Sequence, residues 1–345
     1  MKKSVRMIAL VTCLLLLLSG CGQGTFSPKE EIVIVPPFSY APVVLEHTGD
    51  YVIQWEDAGM EAHIRLLLDK PEGDILHSDV RDIQVLRIAF NAAEPCDLAM
   101  TEPADGAETF SFQSTQTSDS LPWVLHGKTT LPPVESLRDL RHFDSLQILD
   151  LGFKIVDHLR LDLSGLEECK YLKDIDISNA GIESLAPLAE LSELERLSLR
   201  YCGQLDLIPL EGLPSLVHLG VEESEILSLE PLTQIPSLLS LYLGESTFPS
   251  LEPLTRTTVQ ELDMLLPLHA RDMYKDLDYE PISRMPNLLC LDLTNHAYVD
   301  VEICETILKN CDTLIFLDVT QTKAGQKLKW GLAKLDVSNL EGFRY

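Results

Sequence analysis

The residues of this chain that recur at a spacing suited to chemistry are charged, and the chemistry they suit is recognition rather than bond-making. Asp150, Asp176, Ser198, Gly220, Tyr242, Asp263, Asp292 and Asp318 each stand between two apolar residues, at steps of 21 to 29 residues. Acid at both ends of the series flanks a centre without it. Around that centre lie Arg196, Arg200, His218 and Glu222, with Tyr201 beside Arg200. Arginine and aromatic clusters are what the energetic centres of protein interfaces are built from. The expectation is a contact centre at Arg196, Arg200, Tyr201, His218 and Tyr242, with Asp150, Asp176, Asp263, Asp292 and Asp318 selecting a basic protein partner. Carboxylates about 5 Å apart in water repel by roughly 0.8 kcal/mol, which is tolerable, so a solvated polar face accounts for the aspartates nearly as well.

Motifs for covalent catalysis are absent from the sequence. It holds no His-Glu-x-x-His, no Gly-x-Ser-x-Gly, no phosphate-binding glycine loop and no Cys-x-x-Cys pair. The chain therefore reads as a non-enzyme without a cofactor. Leu265 to Pro281 gathers Asp272, Tyr274, Asp276, Asp278, Tyr279 and Glu280, but without the glycine and terminal glutamate of a calcium loop. It reads as a solvated loop with no metal.

The elements that must position the charged series are written in leucine. Leu194-x-x-Leu197-x-Leu199 returns at Leu216, Leu238 and Val259, in steps of 22, 22 and 21 residues. A period of that length with that signature marks a leucine-rich repeat, an α/β solenoid in horseshoe form with a parallel concave β-sheet. Leucines at alternate strand positions point inward, and the residues between them face solvent. The pattern starts at Ile83-x-x-Leu86-x-Ile88, resumes at Val134 to Leu151 and Leu172-x-x-Ile175-x-Ile177, and continues at Leu288 and Leu314. Leu332-x-x-Leu335-x-Val337 offers a last, irregular coil. Two steps of 26 residues leave room for a convex helix, one of them capped by Asp300 and burying Ile303, Ile307 and Leu308.

Within the short coils, Ile182-x-x-Leu185-x-Pro187-Leu188, Ile226-x-x-Leu229-x-Pro231-Leu232 and Phe248-x-x-Leu251-x-Pro253-Leu254 resemble the repeat of bacterial internalin-like proteins. Trp55-Glu56-Asp57, Ile64-Arg65, Lys70 to Ile75 and Asp79-Val80 are similar to the helical N-terminal cap of that family. The resemblance covers most of residues 54 to 322 and implies a surface module that binds another protein through its concave face. One position departs from it: where the family has an inward asparagine, this chain has Ala180, Cys202, Ser224, Ser246, Pro267, His296 and Thr322. That predicts a weak polar ladder and looser loops, with His296 as a semi-buried structural residue.

The N-terminus speaks about compartment. Lys2, Lys3 and Arg6 precede an apolar run from Met7 to Leu18 that ends in Leu18-Ser19-Gly20-Cys21. The run is too short to cross a bilayer core of roughly 30 Å comfortably. It resembles a bacterial lipoprotein signal, which implies lipidation at Cys21 and an extracytoplasmic chain tethered to a bacterial membrane through its lipid alone. The formal net charge of −27 argues against nucleic acid as a partner and for basic ones. A scaffold of the cell envelope that binds glycan or peptidoglycan is the alternative reading.

The remaining organisation follows. Residues 1–21 read as signal peptide, 22–53 as tether and short β segment, 54–90 as cap, 91–130 as an insertion or degenerate coils, and 131–345 as the repeat domain. Val43-Val44-Leu45 and Tyr51-Val52-Ile53 could pair as a hairpin, and Asp57 offers an N-cap to a helix carrying Met60, Ile64, Leu67 and Leu68. Cys304 and Cys311 are too far apart on a helix to be bridged, and most of the cysteines read as buried free thiols.

Overall fold

A computed structural model describes residues 41, 43–45, 49–90, 125–127, 131–153 and 159–345. Inward leucines at every second position produce the expected result, a leucine-rich repeat solenoid built on one parallel sheet of eleven strands. These are β1 (Val85–Phe90), β2 (Leu125–Gly127), β3 (Ile148–Gly152), β4 (Asp174–Ser178), β5 (Arg196–Arg200), β6 (His218–Glu222), β7 (Ser240–Tyr242), β8 (Glu261–Asp263), β9 (Cys290–Asp292), β10 (Phe316–Asp318) and β11 (Gly342–Arg344). From β3 onward each strand pairs with the next in the chain, and β1 pairs with β3.

The register has no slip, so like positions stack. Leu149 pairs with Ile175, Ile175 with Leu197, Leu197 with Leu219 and Leu219 with Leu241, all buried. A slip of one residue would turn this whole row to solvent, so burial itself fixes the register. On the return side the short coils close through 3-10 turns such as Ala186–Glu190, Glu230–Gln234 and Glu252–Arg256, each with a proline in its first two positions. Proline suits that place because the amide it lacks would find no partner there. The longer coils carry α3 (Val301–Asn310), capped by Asp300, and α4 (Lys323–Lys329), capped by Thr322.

At the other end, α1 (Ala58–Leu67) is locked to the first coil by two buried carboxylates. Asp57 accepts from Met60 N–H at 2.7 Å, and its second oxygen accepts from Glu135 and Ser136 N–H at 2.9 Å each. Asp139 in turn accepts from the amides of Glu56 and Asp57. The approach is so close that a Cβ on Gly59 would stand 2.0 Å from the Pro133 carbonyl oxygen. The single turn α2 (His77–Val80) then leads into β1.

The ends of the chain depart from expectation in two places. Val52 does not pair with residues 43–45 but forms an antiparallel bridge to Leu76, because Ile53 and Ile75 share the core while Val44 is 89% exposed. Leu332 to Val337 forms no strand. The chain leaves α4 through Gly331 in a left-handed conformation, Leu332 points outward, and the last rung is Gly342–Arg344.

The polar ladder exists in other residue types. Ser246 Oγ donates to Val221 O and accepts from Ser224 N, and Ser224 Oγ accepts from Cys202 N. Pro267 offers no side-chain donor, and in its coil Tyr274 Oη donates to the carbonyls of Leu243 and Ser246. The segment 265–281 is accordingly more than a solvated loop, since Tyr274 and Tyr279 are buried. His296 is fully buried, held between Tyr279 Oη and Met264 O.

β1 and β3 pair directly, and β2 lies on the outer side of β1. Phe110-x-Phe112 and Trp123-Val124, around which degenerate coils within 91–130 would be built, lie outside the described residues, as do the proposed signal segment and Cys21. Among the described residues Cys169, Cys202, Cys304 and Cys311 are free thiols and buried. Burial pushes Cys169, Cys202 and Cys304 up to about 12, which keeps them unreactive.

Candidate functional site

Because the strands stack without slip, the outward series becomes a continuous row across the concave face. In register it runs Arg87, Asp150, Asp176, Ser198, Gly220, Tyr242, Asp263, Asp292, Asp318, Arg344. Two blocks of aspartate flank a centre of small and aromatic residues, with an arginine at each end.

The aspartates of the distal block share one local geometry. Asp263, Asp292 and Asp318 each accept through Oδ1 from the amide two residues on, at 2.8, 2.7 and 2.8 Å. One oxygen thus ties down the strand end. Asp263 and Asp292 are half-buried against the sheet and stand beside one another, which disfavours their charged forms. Burial, then Asp292, holds Asp263 well above the usual carboxylate range, and burial followed by Asp318 brings Asp292 up to about 7. In the proximal block burial and then Asp150 and Asp174 raise Asp176 to about 7, while Arg87 lies 3.5 Å from Asp150.

The centre differs from the basic patch that residue types alone imply. Arg200 is tied to Glu222 on the next strand, with Nε donating at 2.8 Å. Arg196 lies 3.7 Å from the buried carboxylate of Asp174. His218 is buried, and desolvation followed by Arg196 drives it down to about 3, so it is a neutral imidazole at physiological pH. Tyr242 is half-buried, and its hydroxyl donates to Glu261, which also accepts from Ser240 Oγ at 2.8 Å. Between Ser198 and Tyr242 lies Gly220, where an added Cβ would meet nothing nearer than 3.9 Å. The centre is thus a shallow notch with a floor at Gly220, an aromatic wall at Tyr242, and on the neighbouring strand β5 two arginines that already face carboxylates of adjacent strands.

Tyr201 lies at the rim, not on the floor. It follows β5 in a left-handed conformation, φ 54°, and is about half exposed. The equivalent residues of the next two coils are Glu223 and Glu245, also left-handed at φ 51° and 55°. Their carboxyl groups are hydrogen-bonded to each other, and burial and then Glu245 raise Glu223 to about 7. His269 approaches Glu245 at 3.1 Å. Residue-type reasoning missed this acidic rim. The signal was available as the residue just before the ladder position in each coil.

Among the described residues no group of His, Cys, Asp or Glu could hold a metal ion, and no helix is long and apolar enough to cross a membrane.

No protein-family model matches the chain, and no curated protein does. Among solved structures it is similar to internalin C2 of Listeria monocytogenes, with 16% identity over 84% of this chain and 93% of that one, at a TM-score of 0.42. It is also similar to the internalin InlF of the same organism, with 18% identity over 83% and 88% of the two chains and a TM-score of 0.44. A leucine-rich repeat protein of Leptospira interrogans is similar at 19% identity, covering 63% of this chain and 52% of that one, with a TM-score of 0.38.

Proposed function

We propose that this chain is a lipid-anchored, extracytoplasmic leucine-rich repeat protein that binds a basic protein partner through its concave face. The observation that carries the reading is the in-register row, in which acid on both sides brackets the notch at Gly220. A cationic side chain entering the notch meets Tyr242, with Glu222 and Asp176 nearby, and cation–π and ion-pair contacts both favour it there. Arg196, Arg200 and His218 frame the notch, and Tyr201 with Glu223 and Glu245 forms its rim. Asp150, Asp176, Asp263, Asp292 and Asp318 set the charge of the partner.

Anchoring rests on the sequence up to Cys21, with residues 22–53 as tether and 54–90 as the cap of a repeat domain spanning 131–345. Labelled palmitate enters the parent chain and not Cys21→Ala; incorporation into the variant removes the anchor from the reading. Chemical crosslinking of the full chain, followed by partner identification, tests the binding face. Arg200→Glu together with Tyr242→Ala abolishes recovery of that partner, and undiminished recovery sinks the assignment.

A further inference from the structure

Against a chain with twice as many acids as bases, one stretch of the described residues is purely cationic. From Val319 to Leu335 there are Lys323, Lys327, Lys329 and Lys334 and no acid. This stretch holds α4 and its exit. The inner side of α4 is committed to the solenoid, with Ala324 buried and Leu328 packed against the core. Lys323, Lys327 and Trp330 follow one another at helical spacing on the other side.

Two large apolar side chains stand out among these lysines, Trp330 at 75% and Leu332 at 76% exposure. Their display is fixed by backbone. Gly331 N–H donates to Leu328 O at 2.9 Å and Leu332 N–H to Lys327 O at 2.8 Å. That is the paired bonding of a Schellman helix end. Its usual companion is a contact that buries the residue after the glycine. Here that residue, Leu332, is left in water.

We propose that this corner of the solenoid docks on an anionic lipid bilayer, with Trp330 and Leu332 entering the interface and the lysines pairing with head groups. The combination of exposed tryptophan, exposed leucine and surrounding lysine is what an interfacial membrane contact requires. Lysine stems lie along the apolar boundary while their ammonium groups stay in water. A protruding wedge suits a deformable bilayer, whereas a peptide would need a groove to enter. A symmetric pair of copies would set lysine against lysine, because a two-fold contact matches each patch with itself.

Acids do border the patch, among them the exposed Glu302 and Glu305 of α3, which packs against α4. Asp300 approaches Lys323 at 3.9 Å, and Asp336 and Glu341 are exposed beyond Leu335. The carboxylates of the concave face that lie farther off than the screening length of about 8 Å contribute little at physiological salt. The contact is separate from the concave notch and does not rest on the protein-binding reading.

The test uses the full chain on vesicles of phosphatidylcholine, alone or mixed with phosphatidylglycerol, both bearing brominated acyl chains. Flotation reports attachment by any route. Quenching of the emission that Trp330→Phe removes reports the contact itself. Trp330 is quenched and blue-shifted on the anionic vesicles and not on the neutral ones. Lys327→Glu with Lys329→Glu and Lys334→Glu, all exposed and expected to melt like the parent, weakens that contact by about a hundredfold, since each lysine adds roughly fivefold at a charged surface. The proposal falls if the chain floats without Trp330 quenching, if quenching is equal on both vesicles, or if the anionic vesicles leave the chain unbound. Shielding of Trp330 that grows with protein concentration and without lipid would identify a second copy and overturn it as well.

Discussion

At the scale of single residues, Asp176, Asp263 and Asp292 on the concave face are held away from the ordinary carboxylate range by burial against the sheet and by neighbouring carboxylates. Asp176 illustrates the consequence. Its folded value of about 7 lies above the ordinary carboxyl value of 3.8, so the native state holds a proton that the unfolded chain releases. Its contribution is favourable below about pH 4, is lost as pH rises towards 7, and is constant above that. His218 and His296, depressed to about 3 and about 4, act in the opposite direction below their unfolded value. The clean observable is therefore a difference between variants. Asp176→Asn matches the parent in urea unfolding at pH 4 and exceeds it by about 1 kcal/mol at pH 8, a figure reduced for solvent contact. A parent that is as stable as the variant at pH 8 contradicts the account. Glu223 carries a second cost, a left-handed backbone. Other coils place Asn179 and Asn295 at that position, where asparagine is better tolerated. Glu223→Asn raises stability by about 1 kcal/mol, measured the same way.

At the scale of elements, what the sequence made legible was whatever is local or periodic. Leucine spacing revealed the strands, and Asp57 and Asp300 revealed the helix starts, because caps and alternation act within a few residues. The last rung was not legible. Gly342-Phe343-Arg344 carries no leucine signature, whereas Leu332-x-x-Leu335 imitates one after a helix that Gly331 ends. The ladder escaped because a hydroxyl can replace an asparagine only if the next coil brings a carbonyl within reach. The paired state of the central arginines was legible in principle. Adding the 22-residue step to Lys173, Asp174 and Arg200 gives Glu195, Arg196 and Glu222, their partners in the structure. The ladder can be tested directly. Ser246→Ala leaves Val221 O and Ser224 N unpaired in the core and costs about 1–3 kcal/mol. Tyr274→Phe releases the carbonyls of Leu243 and Ser246 and costs a similar amount, about 1–3 kcal/mol. Thermal melts that leave both variants at the parent midpoint would show the rungs to be held by packing alone.

At the scale of the whole molecule, the parallel register turns residues more than 160 positions apart in the chain, Asp150 and Asp318, into members of one electrostatic surface. Neighbouring rungs about 4.8 Å apart lie inside the screening length of about 8 Å, so each block acts as a unit. Asp176, Asp292 and Glu223 all titrate at about 7, two of them on the floor in opposite blocks and one at the rim. A cationic partner favours their ionised forms, so binding must release protons near neutrality, and affinity must rise with pH until the carboxylates are ionised without help. For the partner recovered by crosslinking, affinity increases about tenfold from pH 6 to pH 8 and declines with added salt. Calorimetry at pH 7 in two buffers of different ionisation enthalpy gives different apparent heats, and the sign corresponds to proton release. Asp176→Asn with Asp292→Asn flattens the pH dependence and lowers affinity at pH 8. An affinity constant across this range and indifferent to salt would mean that the partner is held by the notch and its tyrosine, with the acidic blocks serving solubility.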